Sequence, residues 1–167
     1  WDSECVQGFE SILSIGNGRI GQRANFEEAY SDSSLQGSYL AGVYYPDKTK
    51  VGWWKNGYPE YFAKVLNSTN WIGIDVKVDG EALDLAQAKS VDEFVWTLNM
   101  MEGVLKRSFA CRMQNGAAVE VIAERFCSMH NPELGCLRYS VKAGDRIIEI
   151  KPFLDSGVTN EDSNWND

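Results

Sequence analysis

The segment WIGIDVKV (71–78) alternates apolar and polar side chains, and a period of two belongs to a strand with one buried face and one solvated face. Ile72, Ile74, Val76 and Val78 share one side, Asp75 and Lys77 the other, and Asp79-Gly80 supplies a hairpin turn. Similar strand-like runs cover 91–98, 104–113, 118–128, 136–142 and 146–154. The links between them are short, with Glu102-Gly103, Asn115-Gly116, Asn131-Pro132 and Gly144-Asp145 as turn formers. Six strands at such spacing predict an all-β fold, either a meandering antiparallel sheet or an antiparallel β-sandwich. In VEVIAERFC (119–127), Val119, Val121, Ala123 and Cys127 oppose Glu120, Ile122, Glu124 and Phe126. The second face is mixed, which predicts partial cover by another layer.

The first seventy residues are less regular. GSYLAGVYY (37–45) reads as one strand, whereas 46–70 is aromatic, is broken by Gly52, Gly57 and Pro59, and reads as a long functional loop. A chain of 167 residues is long enough for one domain with a substantial core. No repeat, low-complexity tract or linker divides it, so a single domain over 1–167 is expected.

Sixteen Lys and Arg against 24 Asp and Glu give a net charge of −8, spread along the chain. Such a surface repels nucleic acid and anionic membranes. No apolar run reaches membrane-spanning length, and the opening WDSEC lacks the basic start and apolar core of a signal peptide. The chain reads as soluble, with the cytoplasm favoured over the periplasm. It starts without Met and ends on TNEDSNWND, which reads as a piece of a longer protein.

GNGRIG (16–21) satisfies the G-x-G-x-x-G pattern of dinucleotide binding, which requires a strand before the glycines and a helix after them. Ile12, Leu13 and Ile15 could supply a short strand, but QRANFEEAY (22–30) is too short and too polar-faced for a crossover helix. Asn17-Gly18 suits a tight hairpin turn, so no cofactor is expected here. Cys5, Cys111, Cys127 and Cys136 show no C-x-x-C spacing, and the single histidine, His130, leaves no zinc set. Cys111 and Cys127 fall in strands and read as small buried hydrophobes, with a disulfide left open for an exported parent. His130 lies in a turn-like SMHNPELG without a nucleophile elbow. The carboxylate pairs Glu27-Glu28, Glu81 with Asp84, and Asp92-Glu93 read as solvated surface or turn residues.

The densest unusual feature is YYPDKTKVGWWKNGYPEYF (44–62). Amphipathic aromatics in breaker-rich backbone suit a sugar-stacking platform, and core packing or a protein interface uses the same residues. Tyr45, Trp53, Trp54 and Tyr58 are the candidate sugar or interdomain contacts.

Five stretches, taken in order, resemble the N-terminal domain of glycoside hydrolase family 65, the maltose, trehalose and kojibiose phosphorylases and related α-glucosidases. They are ESILSIGNGRIGQRANFEE (10–28), LQGSYLAGVYY (35–45), NWIGIDVKVDGEALDL (70–85), TLNMMEGVLKRSF (97–109) and ERFCSMHNPELGCLRYSV (124–141). The resemblance implies a galactose-mutarotase-like super-sandwich, followed in a complete enzyme by a catalytic barrel of paired helices. That fold is ordinarily larger than this chain, so a truncated sandwich is expected. The family's catalytic Glu and phosphate-holding residues belong to the barrel, so no catalytic position carries over. The implied partners are the chain's own helical barrel, an α-glucoside substrate, inorganic phosphate as co-substrate of a phosphorylase, and a second copy in a homodimer. Segment 46–65 departs from the typical phosphorylases. The competing reading is an independent carbohydrate-binding module.

Overall fold

The structure is a computed structural model that describes residues 5–48 and 59–160. It opens with a short helix, α1 (Val6–Ile12), whose buried side chains Val6 and Glu10 lie four residues apart on one helical face. This corrects the strand expected from Ile12, Leu13 and Ile15, because Leu13 closes the helix and only Ile15 enters a strand. The next strands are β1 (Ile15–Gly16), β2 (Ile20–Gln22) and β3 (Ser38–Leu40), which form a small antiparallel sheet in that order. Then comes a two-stranded ribbon of β4 (Tyr44–Lys48) and β5 (Tyr61–Val65).

Segment 37–45 is therefore two elements rather than one strand. Ala41-Gly42 forms a turn, Gly42 takes φ +89°, and the halves pair in different sheets. Described parts of 46–70 are likewise more regular than a loop, since Tyr, Phe and Val favour the extended backbone of the ribbon. Pro46 is tolerated within β4 because both strands of a two-stranded ribbon are edges.

The remaining strands follow the period read from the sequence. β6 (Ile74–Val78) turns through Asp79-Gly80, both at positive φ, into β7 (Glu81–Ala82). β8 (Ser90–Asn99), β9 (Val104–Arg112), β10 (Ala118–Cys127) and β11 (Gly135–Lys142) make an antiparallel four-stranded meander. β12 (Ile148–Pro152) leaves the meander and pairs with β6, giving a second sheet in the order β12-β6-β7. That crossover makes a sandwich of what would otherwise be one sheet.

Between the layers Ile74, Val76 and Val78 of β6 pack with Phe109 and Cys111 of β9 and Val119 and Val121 of β10. At the other end of the meander's inner face, Leu105 and Cys127 meet Ile15, Ile20 and Ala24 from the small sheet. The antiparallel β-sandwich expected from the alternation is thus the observed fold. The expected cover on the second face of the meander is not seen at its apolar positions: Ile122 is 42% exposed and Phe126 40%. Cys111, Cys127 and Cys136 are free thiols, and burial raises Cys111 to about 11. No helix among the described residues is long and apolar enough to cross a membrane.

Candidate functional site

The ribbon carries the largest concentration of exposed aromatic side chains among the described residues. Its register pairs Tyr44 with Val65, Tyr45 with Lys64, Pro46 with Ala63, Asp47 with Phe62, and Lys48 with Tyr61. Paired residues share a face, so Tyr44, Val65, Pro46, Ala63 and Tyr61 form one side that is apolar except for Lys48 at its end. Tyr45 and Phe62 lie on the other, where Lys64 and Asp47 form a 3.5 Å ion pair. Tyr44 and Tyr45 each stand 57% exposed, with Tyr61 and Phe62 close behind. Apolar surface gathered this densely makes the ribbon the candidate contact surface. Tyr45 stands exposed on this ribbon, whereas Trp53, Trp54 and Tyr58 lie outside the described residues. Tyr61 and Phe62 join the site because strand pairing returns them beside β4, which sequence proximity alone did not single out.

Beside the apolar side of the ribbon lies a cleft of about 420 Å³, walled by Tyr44, Ala63 and Val65 on one hand and by Arg19, Gly21 and Tyr39 on the other. A second cleft of about 440 Å³ shares Tyr39 and is lined by Trp71, Thr69, Glu133 and Leu154. Gly135 admits the Trp71 ring, since a Cβ there would fall 2.7 Å from it.

The glycine motif forms the hairpin floor of the first cleft. Asn17 Oδ1 accepts from the N–H groups of Arg19 at 3.0 Å and Ile20 at 2.8 Å. Its Nδ2 donates to the carbonyls of Ser128 at 2.7 Å and Pro132 at 3.1 Å, latching the hairpin to the loop after β10. Gly18 adopts φ +83°, and a Cβ on Gly16 would lie 3.0 Å from the Ile20 carbonyl. The motif connects two strands, β1 and β2, with no helix to receive a pyrophosphate.

One expectation about carboxylates is overturned. Glu27 and Glu28 are buried, in the interior beside Arg107 and Arg125. Arg107 Nη2 donates to Glu27 at 2.6 Å and to Glu28 at 2.5 Å, Arg125 Nη1 donates to Glu27 at 3.0 Å, and Tyr139 Oη donates to Glu28 at 3.1 Å. The Arg107 guanidinium also lies over the Phe26 ring, 4.4 Å from its centre. Burial opposes the charge on Glu27, yet Arg125 and Arg107 outweigh it and hold the carboxyl below its ordinary range. Burial and the Glu28 carboxylate push Tyr139 well up. Two cations and two carboxylates balance in charge almost wholly out of contact with solvent, and Arg125 Nε alone of the two guanidiniums keeps a buried N–H without a partner. The cluster ties β9 and β10 of the meander to the segment that follows the glycine hairpin.

The signal for it was Arg125, which shares the inner face with Val119, Val121, Ala123 and Cys127 and was passed over among them. A cation in phase with buried residues requires a buried anion. Glu81 and Asp84 do serve turns, Glu81 accepting from the N–H groups of Gln114 and Asn115 and Asp84 from that of Ala86. Asp92 and Glu93 are exposed at a β-bulge, and His130 is exposed in a bend. Among the described residues no three His, Cys, Asp or Glu side chains gather as metal ligands.

Comparison with known proteins agrees with the fold. The family model described as "Glycosyl hydrolase family 65, N-terminal domain" matches residues 1–167, the whole chain. The chain belongs to this family. Within family 65 it is 48% identical to a maltose phosphorylase of Bacillus subtilis, over 99% of this chain and 22% of that protein. A kojibiose phosphorylase of Halothermothrix orenii is 30% identical over 91% of this chain and 18% of its own length. A solved structure, a putative kojibiose phosphorylase from human microbiome, superposes with a TM-score of 0.73 at 28% identity, covering 86% of this chain and 19% of that one. The chain thus spans about a fifth of the length of these relatives.

Proposed function

We propose that this chain is the non-catalytic β-sandwich of a family 65 phosphorylase, and that its aromatic ribbon contacts the catalytic domain at the rim of the substrate pocket. The observation carrying this reading is the exposure of Tyr44, Tyr45, Tyr61 and Phe62 on a paired, sequence-encoded ribbon. Exposed aromatics of this density suit an interdomain contact, which is typically more polar and smaller than a core. The ion-pair cluster and the Asn17 latch supply the rigid support such a contact needs.

Maltose is the first substrate to test, on the strength of the 48% identity to a maltose phosphorylase. In the reaction inorganic phosphate displaces the second sugar from the anomeric carbon of an α-glucoside. The catalytic proton donor is assigned to the part of the protein outside these residues.

The test is made on the full-length protein, with release of glucose 1-phosphate measured from maltose, kojibiose and trehalose in the presence of phosphate. Tyr45→Ala, and Trp53 and Trp54 replaced together by alanine, should raise KM or loosen the domain contact while the β-sandwich stays folded. Unchanged kinetics and unchanged limited proteolysis in both variants would remove the ribbon from the mechanism. Tight disaccharide binding that persists when the catalytic site is inactivated, and disappears in the same variants, would favour a carbohydrate-binding module.

A further inference from the structure

The second cleft, of about 440 Å³, is lined by no residue of the ribbon, and its size falls within the range of small-molecule sites. Two rings, Trp71 and Tyr39, wall it, with Leu154 as an apolar neighbour and Ser68, Thr69 and Glu133 as polar ones. Glycine at 135 admits the Trp71 ring, whose N–H is buried without an acceptor, so the indole offers a flat apolar surface rather than a polar one.

The polar groups beside the rings have bonding capacity to spare. Ser38 is committed, its hydroxyl donating to Gln22 Oε1 at 2.6 Å in the interior. Among the described residues the hydroxyls of Tyr39, Ser68 and Thr69 make no hydrogen bond within the protein, and the Glu133 carboxylate meets only Arg19, across an exposed 3.6 Å. Glu133 is the single charged residue in the lining.

This combination selects among ligands. A phosphate or carboxylate would face Glu133 with no lining cation to receive it. A wholly apolar ligand would strip water from the hydroxyls and the carboxylate without replacing their hydrogen bonds. A pyranose meets both demands, because its ring presents a C–H face for an aromatic surface and a rim of hydroxyls that donate to a carboxylate and accept from side-chain hydroxyls.

We infer that this cleft binds a neutral pyranose sugar, with the C–H face of the ring against Trp71 and its hydroxyls shared among Glu133, Ser68 and Thr69. Four segments build the site. β3 supplies Tyr39, the stretch between β5 and β6 supplies Ser68, Thr69 and Trp71, the β10–β11 loop supplies Glu133, and the residues after β12 supply Leu154. They are fixed to one another before a sugar arrives, which lowers the cost of binding. Ser68 N donates to the Ser38 carbonyl at 2.6 Å, Asn70 and Asp155 exchange backbone hydrogen bonds at 2.8 and 3.0 Å, and the Asn17 latch holds the β10–β11 loop. A free disaccharide and one ring of a longer glucan present the same chemistry to this site.

The experiment follows Trp71 itself, in full-length protein labelled with fluorotryptophan, by the fluorine resonance that is missing from Trp71→Phe. Maltose should shift this resonance saturably. Thr69→Phe, which fills the cleft from an exposed position, should abolish the shift. Glu133→Gln should weaken binding about fivefold, because a neutral acceptor replaces a charged one. Tyr45→Ala, on the ribbon, should titrate as the wild type does, and melting temperatures give the folding control. Maltoheptaose that binds as maltose does assigns the site to a free disaccharide or a chain end, and tighter binding assigns it to a longer chain. Choline, the cation that two rings and a carboxylate also suit, should neither shift the resonance nor displace maltose. A Trp71 resonance indifferent to maltose overturns the proposal. So does a shift that survives both Thr69→Phe and Glu133→Gln, or choline binding more tightly than maltose. Phosphorolysis is not the readout, so the outcome is independent of the ribbon's role.

Discussion

Arg125 Nη1 donates to Glu27 Oε1 across 3.0 Å, with both side chains almost wholly removed from water and 98 residues apart in the chain. The same guanidinium reaches the carbonyl of Asn25 at 2.8 Å, so one strand of the meander is tied to the segment that follows the glycine hairpin. Replacing Arg125 with Met removes the cation and leaves the Glu27 carboxylate facing Arg107 alone. The expected loss is about 3–5 kcal/mol of domain stability, read from urea titration. A loss under about 1 kcal/mol would mean that the pair behaves like a surface bridge.

Glu27 also fixes an acid limit. Its folded carboxyl is held below the ordinary value of 4.5, so the stability it contributes is complete above that value and disappears as pH falls through the lowered one. Glu27→Gln should therefore be markedly less stable than wild type near neutrality, and the gap should narrow as the pH is taken below 4.5. Melting temperatures of the two proteins across an acid series give the comparison. A gap that stays constant would contradict the ionised assignment.

Asn17 makes two acceptor contacts within its own turn and two donor contacts to the loop after β10. Asn17→Ala should cost about 2–3 kcal/mol, two or more net hydrogen bonds, and speed amide exchange at Arg19 and Ile20. Asn17→Asp keeps the acceptors and loses the donors, so it should protect those two amides while still loosening the loop. Equal exchange in both variants would count against the latch.

Two backbone positions should respond with opposite signs. Glu93 holds φ +52° in the β8 bulge, and Gly18 holds φ +83° with open space around it. Glu93→Gly should stabilise by up to about 1 kcal/mol and Gly18→Ala should destabilise by about 1–2 kcal/mol, because an L side chain is strained in the left-handed region. Denaturant midpoints settle both, and the same sign for the two would refute the strain argument.

Much of the fold was legible because strand period is local. The alternation in 71–78 placed Ile72, Ile74, Val76 and Val78 inward, and all four are buried. The turn formers Asp79-Gly80 and Asn115-Gly116 likewise fall at turns, with glycines at positive φ. The candidate site was half legible: the aromatic density of 44–62 pointed to Tyr45, but the pairing that brings Tyr61 and Phe62 beside it depends on two segments meeting. Glu27 and Glu28 were misread because an adjacent pair of carboxylates looks solvated unless the cations that neutralise it are known.

From residue 71 onward the sequence by itself determined which segments are extended and, in segments such as 71–78, which side chains fall on the buried face, since a period of two is set by each residue's own backbone. It placed Arg125 in phase with Val121 and Ala123. Tertiary structure alone decided that β12 pairs with β6 rather than extending the meander, and that residues 37–45 divide between two sheets. It also decided that two charges from β9 and β10 meet two from the segment after the hairpin. Pairing partners and charge compensation are set by groups distant along the chain, and no local period encodes them.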